Sequence, residues 1–286
     1  MRKLSLLLAL LLLLAMLPGC QSAPASQIAA TTLPVYEFTA ILCDGTGITV
    51  TRLVDENVSC LHDYALSVSQ VKALEAAETV VISGAGLEEF MEDLLPDGTI
   101  DSSVGIQALE CEDDHDHDHH HEQDSHIWLS PANAKIMARN ICAGLIQRYP
   151  QHQDTFEKNL TALLSKLDSL QAYGDDHLAE LNCRNLVTFH DGFAYFAEAF
   201  DLHILHAIEE ESGREASAQE LKHLIGIVRE NHLPAVFTEC NGSVSAADII
   251  CAETGAACYN LDMAMSGDSY FEAMYHNIDT IREALG

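Results

Sequence analysis

The sequence predicts an α/β protein of two lobes, each a mainly parallel β-sheet flanked by helices, joined by a long rigid linking helix. Short apolar runs alternate with segments of helical periodicity in both halves of the chain, a pattern that favours parallel sheets covered by helices. Between the halves, residues 151–182 contain no strand-like run and repeat apolar residues at helical spacing. The 286 residues are enough for two hydrophobic cores of roughly 100–150 residues each.

The N-terminal lobe is predicted to span residues 27–150. Apolar or alternating runs predict strands at 27–30, 48–54 and 79–83. Helices are predicted from Pro34 to about residue 42, after a cap at Ser69, at 87–95, and from Ser130-Pro131 to about residue 149. The last start is the strongest signal, because Pro131 follows a capping serine at the position where its missing N–H costs no hydrogen bond.

The C-terminal lobe is predicted to span residues 183–286 and to follow the linking helix directly. Its strands are predicted at 186–189, 202–208, 235–239 and 256–261, with helices between them and one after the last. Within the linking helix, Gly174 is the one weak point of the helical pattern.

The N-terminus has the features of an export signal. Arg2 and Lys3 precede an unbroken apolar run at residues 6–17, which is shorter than the ~20 residues needed to span a bilayer. The run closes with Leu17-Pro18-Gly19-Cys20, which resembles a bacterial lipobox. We therefore predict a lipoprotein signal peptide at 1–19, lipid attachment at Cys20, a tether at 20–26, and an extracytoplasmic protein anchored to the cell membrane. An ordinary signal peptide with a chance cysteine is the alternative.

The amino-acid composition indicates which kinds of partner the protein can bind. The chain has 14 Lys+Arg against 44 Asp+Glu, a formal charge of −30, and 15 His. A chain this acidic repels nucleic-acid phosphates and attracts cations. Eight cysteines besides Cys20 form no CxxC pair, so we predict that most are buried free thiols and assign neither a disulfide nor a thiolate metal site.

Four residues stand at or near strand ends, where ligands of α/β proteins bind. His62 lies in the loop after the second strand, His126 precedes the Ser130-Pro131 helix start, His190 follows the strand at 186–189, and Asp262 follows the strand at 256–261. Three imidazoles and a carboxylate make a tetrahedral set that suits Zn²⁺. Mn²⁺ favours more oxygen ligands and is therefore the less favoured ion.

A second metal feature is the run at residues 113–122, which packs five histidines and five acidic residues into ten positions. A hydrophobic core cannot bury ten consecutive acidic and histidine side chains, so we predict a solvated loop that binds metal with low affinity. A merely solvated acidic segment is the alternative. Its histidines are His115, His117, His119, His120 and His121.

Enzyme motifs are missing from the sequence. His121 and His126 flank a near match to the HExxH of zinc peptidases, but they are five residues apart rather than four, and no apolar helix carries them. We therefore predict that the protein is not an enzyme. An exported zinc-dependent hydrolase with Glu239 as general base stays as the alternative from a different class. An adhesion role has no recognisable signature in the sequence.

Several motifs together resemble the metal-binding lipoproteins of bacterial ABC importers for zinc and manganese, the cluster A-I solute-binding proteins. They are His62-Asp63-Tyr64, Ser83-Gly84-Ala85-Gly86-Leu87-Glu88, the segment 124–131, Thr188-Phe189-His190-Asp191-Gly192-Phe193, and Leu261-Asp262.

The resemblance implies metal at the lobe interface, held by His62, His126, His190 and Asp262, and delivery to an ABC permease by a protein that we expect to be a monomer. His190 and the histidine-rich loop are typical of zinc-type members; a manganese- or iron-binding homologue is the alternative. The sequence departs from the family at residues 65–68 and 263–265, where the proline expected after Asp262 is missing. These departures leave Glu239 or water as the alternative fourth ligand.

Overall fold

The structure is a computed structural model that describes residues 27–55, 61, 64–109, 124–207, 217–239 and 245–286. Within these ranges, no helix combines the length and the apolar character needed to cross a membrane. The predicted signal peptide, Cys20, His62 and the histidine-rich loop at 113–122 all lie outside the described residues.

The N-terminal lobe contains a four-stranded sheet in which all hydrogen-bonded neighbours are parallel. Its strands are β1 (Ile28–Ala30), β2 (Val50–Arg52), β3 (Thr79–Ile82) and β4 (Ile100–Asp101), in the order β2-β1-β3-β4. β1 is central and completely buried, as its short apolar run predicts. β4 was not predicted, because two residues are too few to show a periodic pattern.

Three α-helices and two 3₁₀-helices cover this sheet. They are α1 (Leu33–Cys43), α2 (Val68–Ala76) and α3 (Pro131–Arg148), with 3₁₀-helices at Glu89–Leu94 and Ile127–Leu129. The segment at 87–95 was predicted as a helix without a 3₁₀ character. It lies between the glycine-containing turn at 84–86 and Pro96, which leaves room only for the short, tight form.

The cap of α2 corrects the prediction of Ser69. The side chain of Ser67 accepts a hydrogen bond from Gln70 N at 3.4 Å, and Gln70 Oε1 accepts one from Ser67 N at 2.7 Å. This reciprocal pair is a capping box, which satisfies two backbone donors at once. Ser67 is therefore the N-cap, and the helix starts earlier than the Ser69 assignment implied.

A helix of 25 residues, α4 (Gln153–His177), joins the lobes. It buries one stripe of apolar residues, including Phe156, Leu163 and Leu170, while the opposite face is exposed. Gly174 belongs to the buried stripe and faces the ring of Phe200, so it is a close-packing position rather than a weak point. The helix can act as a rigid strut because a continuous core holds it along its length.

The C-terminal lobe repeats the parallel arrangement with a second four-stranded sheet in the order β6-β5-β7-β8. Its strands are β5 (Asn185–Thr188), β6 (His203–Ala207), β7 (Ala235–Glu239) and β8 (Ala257–Leu261). Its helices are α5 (Ala194–Ala199), α6 (Ala218–Glu230), α7 (Ser245–Thr254) and α8 (Tyr270–Leu285). The two-lobed α/β fold predicted from the sequence is confirmed.

Buried hydrogen bonds fasten the two lobes to each other. Trp128 Nε1 donates to Met263 O at 2.7 Å, and Tyr270 Oη donates to Trp128 O at 2.9 Å. Across the same interface, Glu37 of α1 accepts from Tyr270 N at 2.6 Å and so caps the first turn of α8. Burial of Glu37 raises the pKa of its carboxyl. One apolar cluster includes residues of both lobes and of α4, so the lobes share a core.

The packing at Gly174 gives a test with a matched control. A Cβ built at Gly174 would lie 2.1 Å from Phe200 Cε1, whereas a Cβ at Gly226, also inside a helix, would meet nothing within 4 Å. We expect Gly174→Ala to lower the free energy of unfolding by about 1–3 kcal/mol because it overpacks the core. Gly226→Ala should raise it by about 0.5–1 kcal/mol through helix propensity. Urea denaturation of both variants measures the difference, and equal effects would contradict the packing argument.

Candidate metal centre

Two of the predicted ligands meet at the interface of the lobes. His126 immediately precedes the 3₁₀-helix Ile127–Leu129, whose three side chains are fully buried and hold the segment in place. His190 follows the carboxyl end of β5 by two residues. The His126 and His190 Nε2 atoms are 3.3 Å apart, and the ring planes are perpendicular with centroids separated by 5.1 Å.

A carboxylate orients each of these rings from behind. Asp124 Oδ1 lies 2.8 Å from His126 Nδ1, and Glu239 Oε1 lies 2.8 Å from His190 Nδ1. A carboxylate at Nδ1 keeps the proton of a neutral imidazole on that nitrogen and leaves the lone pair on Nε2. Both Nε2 lone pairs therefore point into the same small space, and such an arrangement requires a cation or a shared proton between them.

The separation of the two Nε2 atoms matches zinc ligation. Two nitrogens at 2.0–2.1 Å from one Zn²⁺ with tetrahedral angles are about 3.3–3.4 Å apart. The observed 3.3 Å falls on this edge length. Both rings are also shielded, since the side chain of His126 is 4 % exposed and that of His190 is 16 % exposed. The separation and the shielding of the two nitrogens are thus compatible with two corners of a tetrahedral metal site.

Glu239 was predicted as an alternative fourth ligand or as the general base of a hydrolase. It is the last residue of β7, is buried, and has Oε1 hydrogen-bonded to His190. This contact places Glu239 beside His190 Nδ1, on the side of the ring away from His190 Nε2.

Asp262 directly follows β8, and its position is set by Asn277 of α8. Asn277 Oδ1 accepts from Asp262 N at 2.7 Å, and Asn277 Nδ2 donates to Asp262 O at 2.7 Å. Asp262 Oδ1 accepts from Ala264 N at 2.7 Å, which holds the turn that places Met263 beside Gly192 and His190. The structure thus brings His126 and His190 into contact and places Asp262 on the adjacent turn. Among the described residues, no group of three His, Cys, Asp or Glu side chains has metal-binding geometry.

Three positions at the centre, Asp124, Tyr195 and Gly192, were assigned no role from the sequence, although all three lie in or next to motifs of the family resemblance. The signal for Asp124 is a carboxylate two residues before a histidine. Tyr195 Oη accepts from Leu109 N at 3.0 Å and donates to Asp124 O at 3.2 Å. Gly192 lies where the two imidazoles converge.

Another buried carboxyl supports the N-terminal side of the interface. Glu88 accepts hydrogen bonds from Thr31 Oγ1 at 2.6 Å, Ser83 N at 2.8 Å and Gly84 N at 3.0 Å. Burial raises the pKa of Glu88 to about 7, although these three donors favour its ionised form. Glu88 thereby ties the end of β3 to the loop that follows β1, at the carboxyl edge of the sheet.

The family model described as ZnuA, zinc-uptake complex component A, periplasmic, matches residues 28–284. The zinc-binding lipoprotein AdcA of Streptococcus pneumoniae (strain ATCC BAA-255 / R6) is 30 % identical over 310 residues, covering 99 % of this chain and 61 % of AdcA. The chain therefore spans about three fifths of the length of that relative.

In two further comparisons, the aligned region covers nearly all of this chain and nearly all of the compared protein. The manganese ABC transporter substrate-binding lipoprotein PsaA of Streptococcus pneumoniae serotype 4 is 24 % identical, covering 100 % of this chain and 99 % of PsaA. A crystal structure of ZnuA superimposes with a TM-score of 0.80 at 32 % identity, covering 91 % of this chain and 100 % of that one.

Gly192 offers a direct test of the site geometry. A Cβ at this position would lie 2.6 Å from His190 Cδ2 and 3.0 Å from His126 Cε1. Because carboxylates hold both rings, we expect Gly192→Ala to force the imidazoles apart and to weaken Zn²⁺ binding roughly ten- to hundredfold. Competition with a chromophoric chelator measures the affinity, with Gly226→Ala as the control. Unchanged affinity in Gly192→Ala would show that the metal does not bind between these rings.

Proposed function

The chain belongs to the family of periplasmic zinc-uptake components, and from that premise we propose that it is an extracytoplasmic zinc-binding protein that delivers Zn²⁺ to an ABC importer. The observation that carries the proposal is the pair of Nε2 atoms 3.3 Å apart, each on a ring oriented by a carboxylate. This arrangement supplies two imidazole ligands in the geometry of bound zinc before any metal arrives.

The proposed ligand set is His62, His126, His190 and Asp262. His126 and His190 are supported by their contact, and Asp262 by its place on the turn beside them. Leu61, next to His62 in the chain, is buried in the same core cluster as Ile127, the residue after His126. Glu239 is proposed as the orienting partner of His190, because one of its oxygens is engaged at Nδ1.

Zinc is favoured over manganese by the ligand chemistry. Imidazole nitrogen suits Zn²⁺, whereas Mn²⁺ prefers carboxylate, carbonyl and water oxygens. The relative at 30 % identity is named as zinc-binding, and the manganese-binding relative is 24 % identical.

Capture is proposed to proceed without wide closure of the lobes. Trp128, Met263 and Tyr270 link the lobes through buried hydrogen bonds, and α4 packs along a core that both lobes share. Metal binding would therefore order loops and shift side chains, and the liganded surface presented to the permease would differ locally rather than by domain rotation.

The histidine-rich segment is proposed as the accessory that raises the local concentration of metal. The flanking residues Leu109 and Asp124 are joined by a backbone hydrogen bond from Asp124 N to Leu109 O at 3.1 Å. Tyr195 Oη contacts both flanking residues, and Asp124 also orients His126. The described residues on either side of the segment thus lie beside the candidate metal centre. We also propose that the protein carries a lipid at Cys20, that its partner is the permease of the importer, and that it is a monomer.

Calorimetry with residues 21–286 tests the function. We expect one tight Zn²⁺ site and several weaker ones, with Mn²⁺ unable to displace zinc at equal concentration. His190→Ala should weaken the tight site at least a hundredfold, which is about 3 kcal/mol. His203→Ala, at an exposed position of β6, should leave it unchanged.

Removal of residues 113–122 separates the two kinds of site. The deletion should abolish the weaker sites and keep the tight one, because the proposed ligands lie outside the deleted segment. Loss of the tight site on deletion, or equal effects of His190→Ala and His203→Ala, would refute the assignment.

A further inference from the structure

The strongest unassigned cluster of reactive groups is a pair of cysteines in the C-terminal lobe. Cys251 lies in the last part of α7, and Cys258 is the second residue of β8. The side chains of Cys251 and Cys258 are in hydrogen-bonding contact with each other. We propose that Cys251 and Cys258 form a disulfide in the exported protein, a modification independent of the metal centre.

The backbone between the two cysteines forms a short turn that is held at both ends. Helix α7 is followed by Gly255, which has a φ of +80° and donates from its N to Cys251 O at 2.9 Å. This is a left-handed helix cap, for which glycine is the favoured residue. Ala257 N then donates to Pro234 O at 2.8 Å, which places β8 in register beside β7. These hydrogen bonds hold the end of α7 and the start of β8 next to each other, with the two cysteines on either side of the turn.

The other described cysteines lack these conditions. Cys43 and Cys142 are buried in the main core, and burial raises their thiol pKa values to about 12 and about 11. Cys183 is half-buried, and its Sγ contacts Asn185 O at 3.8 Å. Cys251 is half-buried and Cys258 is exposed, so an oxidant can reach this pair from solvent.

The reaction needs a two-electron oxidant of the disulfide class. Burial raises the pKa of Cys251 to about 11, and burial also raises the pKa of Cys258, so few thiolates form spontaneously at neutral pH. Extracytoplasmic compartments supply exported thiol oxidants, whose disulfide exchanges through a mixed-disulfide intermediate. The two cysteine thiols lose two protons and two electrons and form one S–S bond. The disulfide of the oxidant takes up these two protons and two electrons and becomes a dithiol.

The bridge would secure the part of the lobe between two residues of the metal centre. Glu239 ends β7 before α7, and Asp262 follows β8 directly. A link from α7 to β8 closes a short loop and restricts the unfolded chain, and this stabilises the fold. None of these contacts involves His126 or His190, so the bridge would form whether or not the protein binds zinc.

Peptide mapping of the full chain, exported by a bacterial host, tests the bridge. Free thiols are blocked with iodoacetamide under denaturing conditions. A protease that cuts after both aspartate and glutamate then cleaves after Asp248 and Glu253, which puts Cys240, Cys251 and Cys258 on three different peptides. We expect the Cys251 and Cys258 peptides to stay linked until a reductant is added, while Cys183 is alkylated. Alkylation of both cysteines, or linkage of either one to Cys60, Cys111 or Cys240, would overturn the proposal.

Thermal unfolding gives a second, independent measure. Reduction of the wild-type chain should lower Tm by roughly 5 °C, from the loop closed by the bridge. Cys251→Ser should abolish this effect of the reductant, and Cys183→Ser, the matched half-buried control, should retain it. An effect of the reductant that persists in Cys251→Ser would contradict the assignment of the bridge.

Discussion

Two imidazole nitrogens, His126 Nε2 and His190 Nε2, face each other at 3.3 Å across the interface of the lobes. A carboxylate lies 2.8 Å from the Nδ1 atom of each imidazole, where it can accept a hydrogen bond and fix the orientation of the ring. At this distance the two nitrogens can share a proton or together bind a cation. The surrounding structure holds the two rings in this position.

The support comes from both lobes at once. On one side, fully buried Ile127, Trp128 and Leu129 anchor the segment after His126. On the other side, β5 and β7 deliver His190 and Glu239 to the same edge of a parallel sheet. Trp128 joins the two through its hydrogen bonds with Met263 and Tyr270. Because these contacts are part of a shared core, the ring-to-ring distance is set by packing and not by a flexible loop.

Much of this architecture could be predicted from the sequence, since it follows from short-range patterns. The apolar runs at β1, β3 and β7 and the Ser130-Pro131 start of α3 all predict the elements found. The two wrong or missing predictions also concern short stretches of sequence. Ser69 was chosen as a cap although Ser67 and Gln70 have the spacing of a capping box, and β4 is too short to produce a pattern.

The geometry of the site could be predicted only in part. Strand-end positions selected His126, His190 and Asp262, but a strand end does not specify which side chains touch. The contact between the two rings depends on how the lobes dock, and the pairing of Glu239 with His190 depends on the order of strands β5 and β7. The sulfur contact of Cys251 and Cys258 is likewise tertiary, because a helix end and a strand start bring together residues that match no cysteine motif.

A crystal structure of the zinc-loaded protein, with anomalous data collected on both sides of the zinc absorption edge, tests the central claim most directly. It should show one zinc ion at about 2.0–2.1 Å from both His126 Nε2 and His190 Nε2. The two nitrogens should stay close to their 3.3 Å separation, with Asp124 and Glu239 still bound at the Nδ1 atoms. An anomalous peak away from these rings, or a ligand set in which Glu239 has left His190 to bind the metal, would contradict the account.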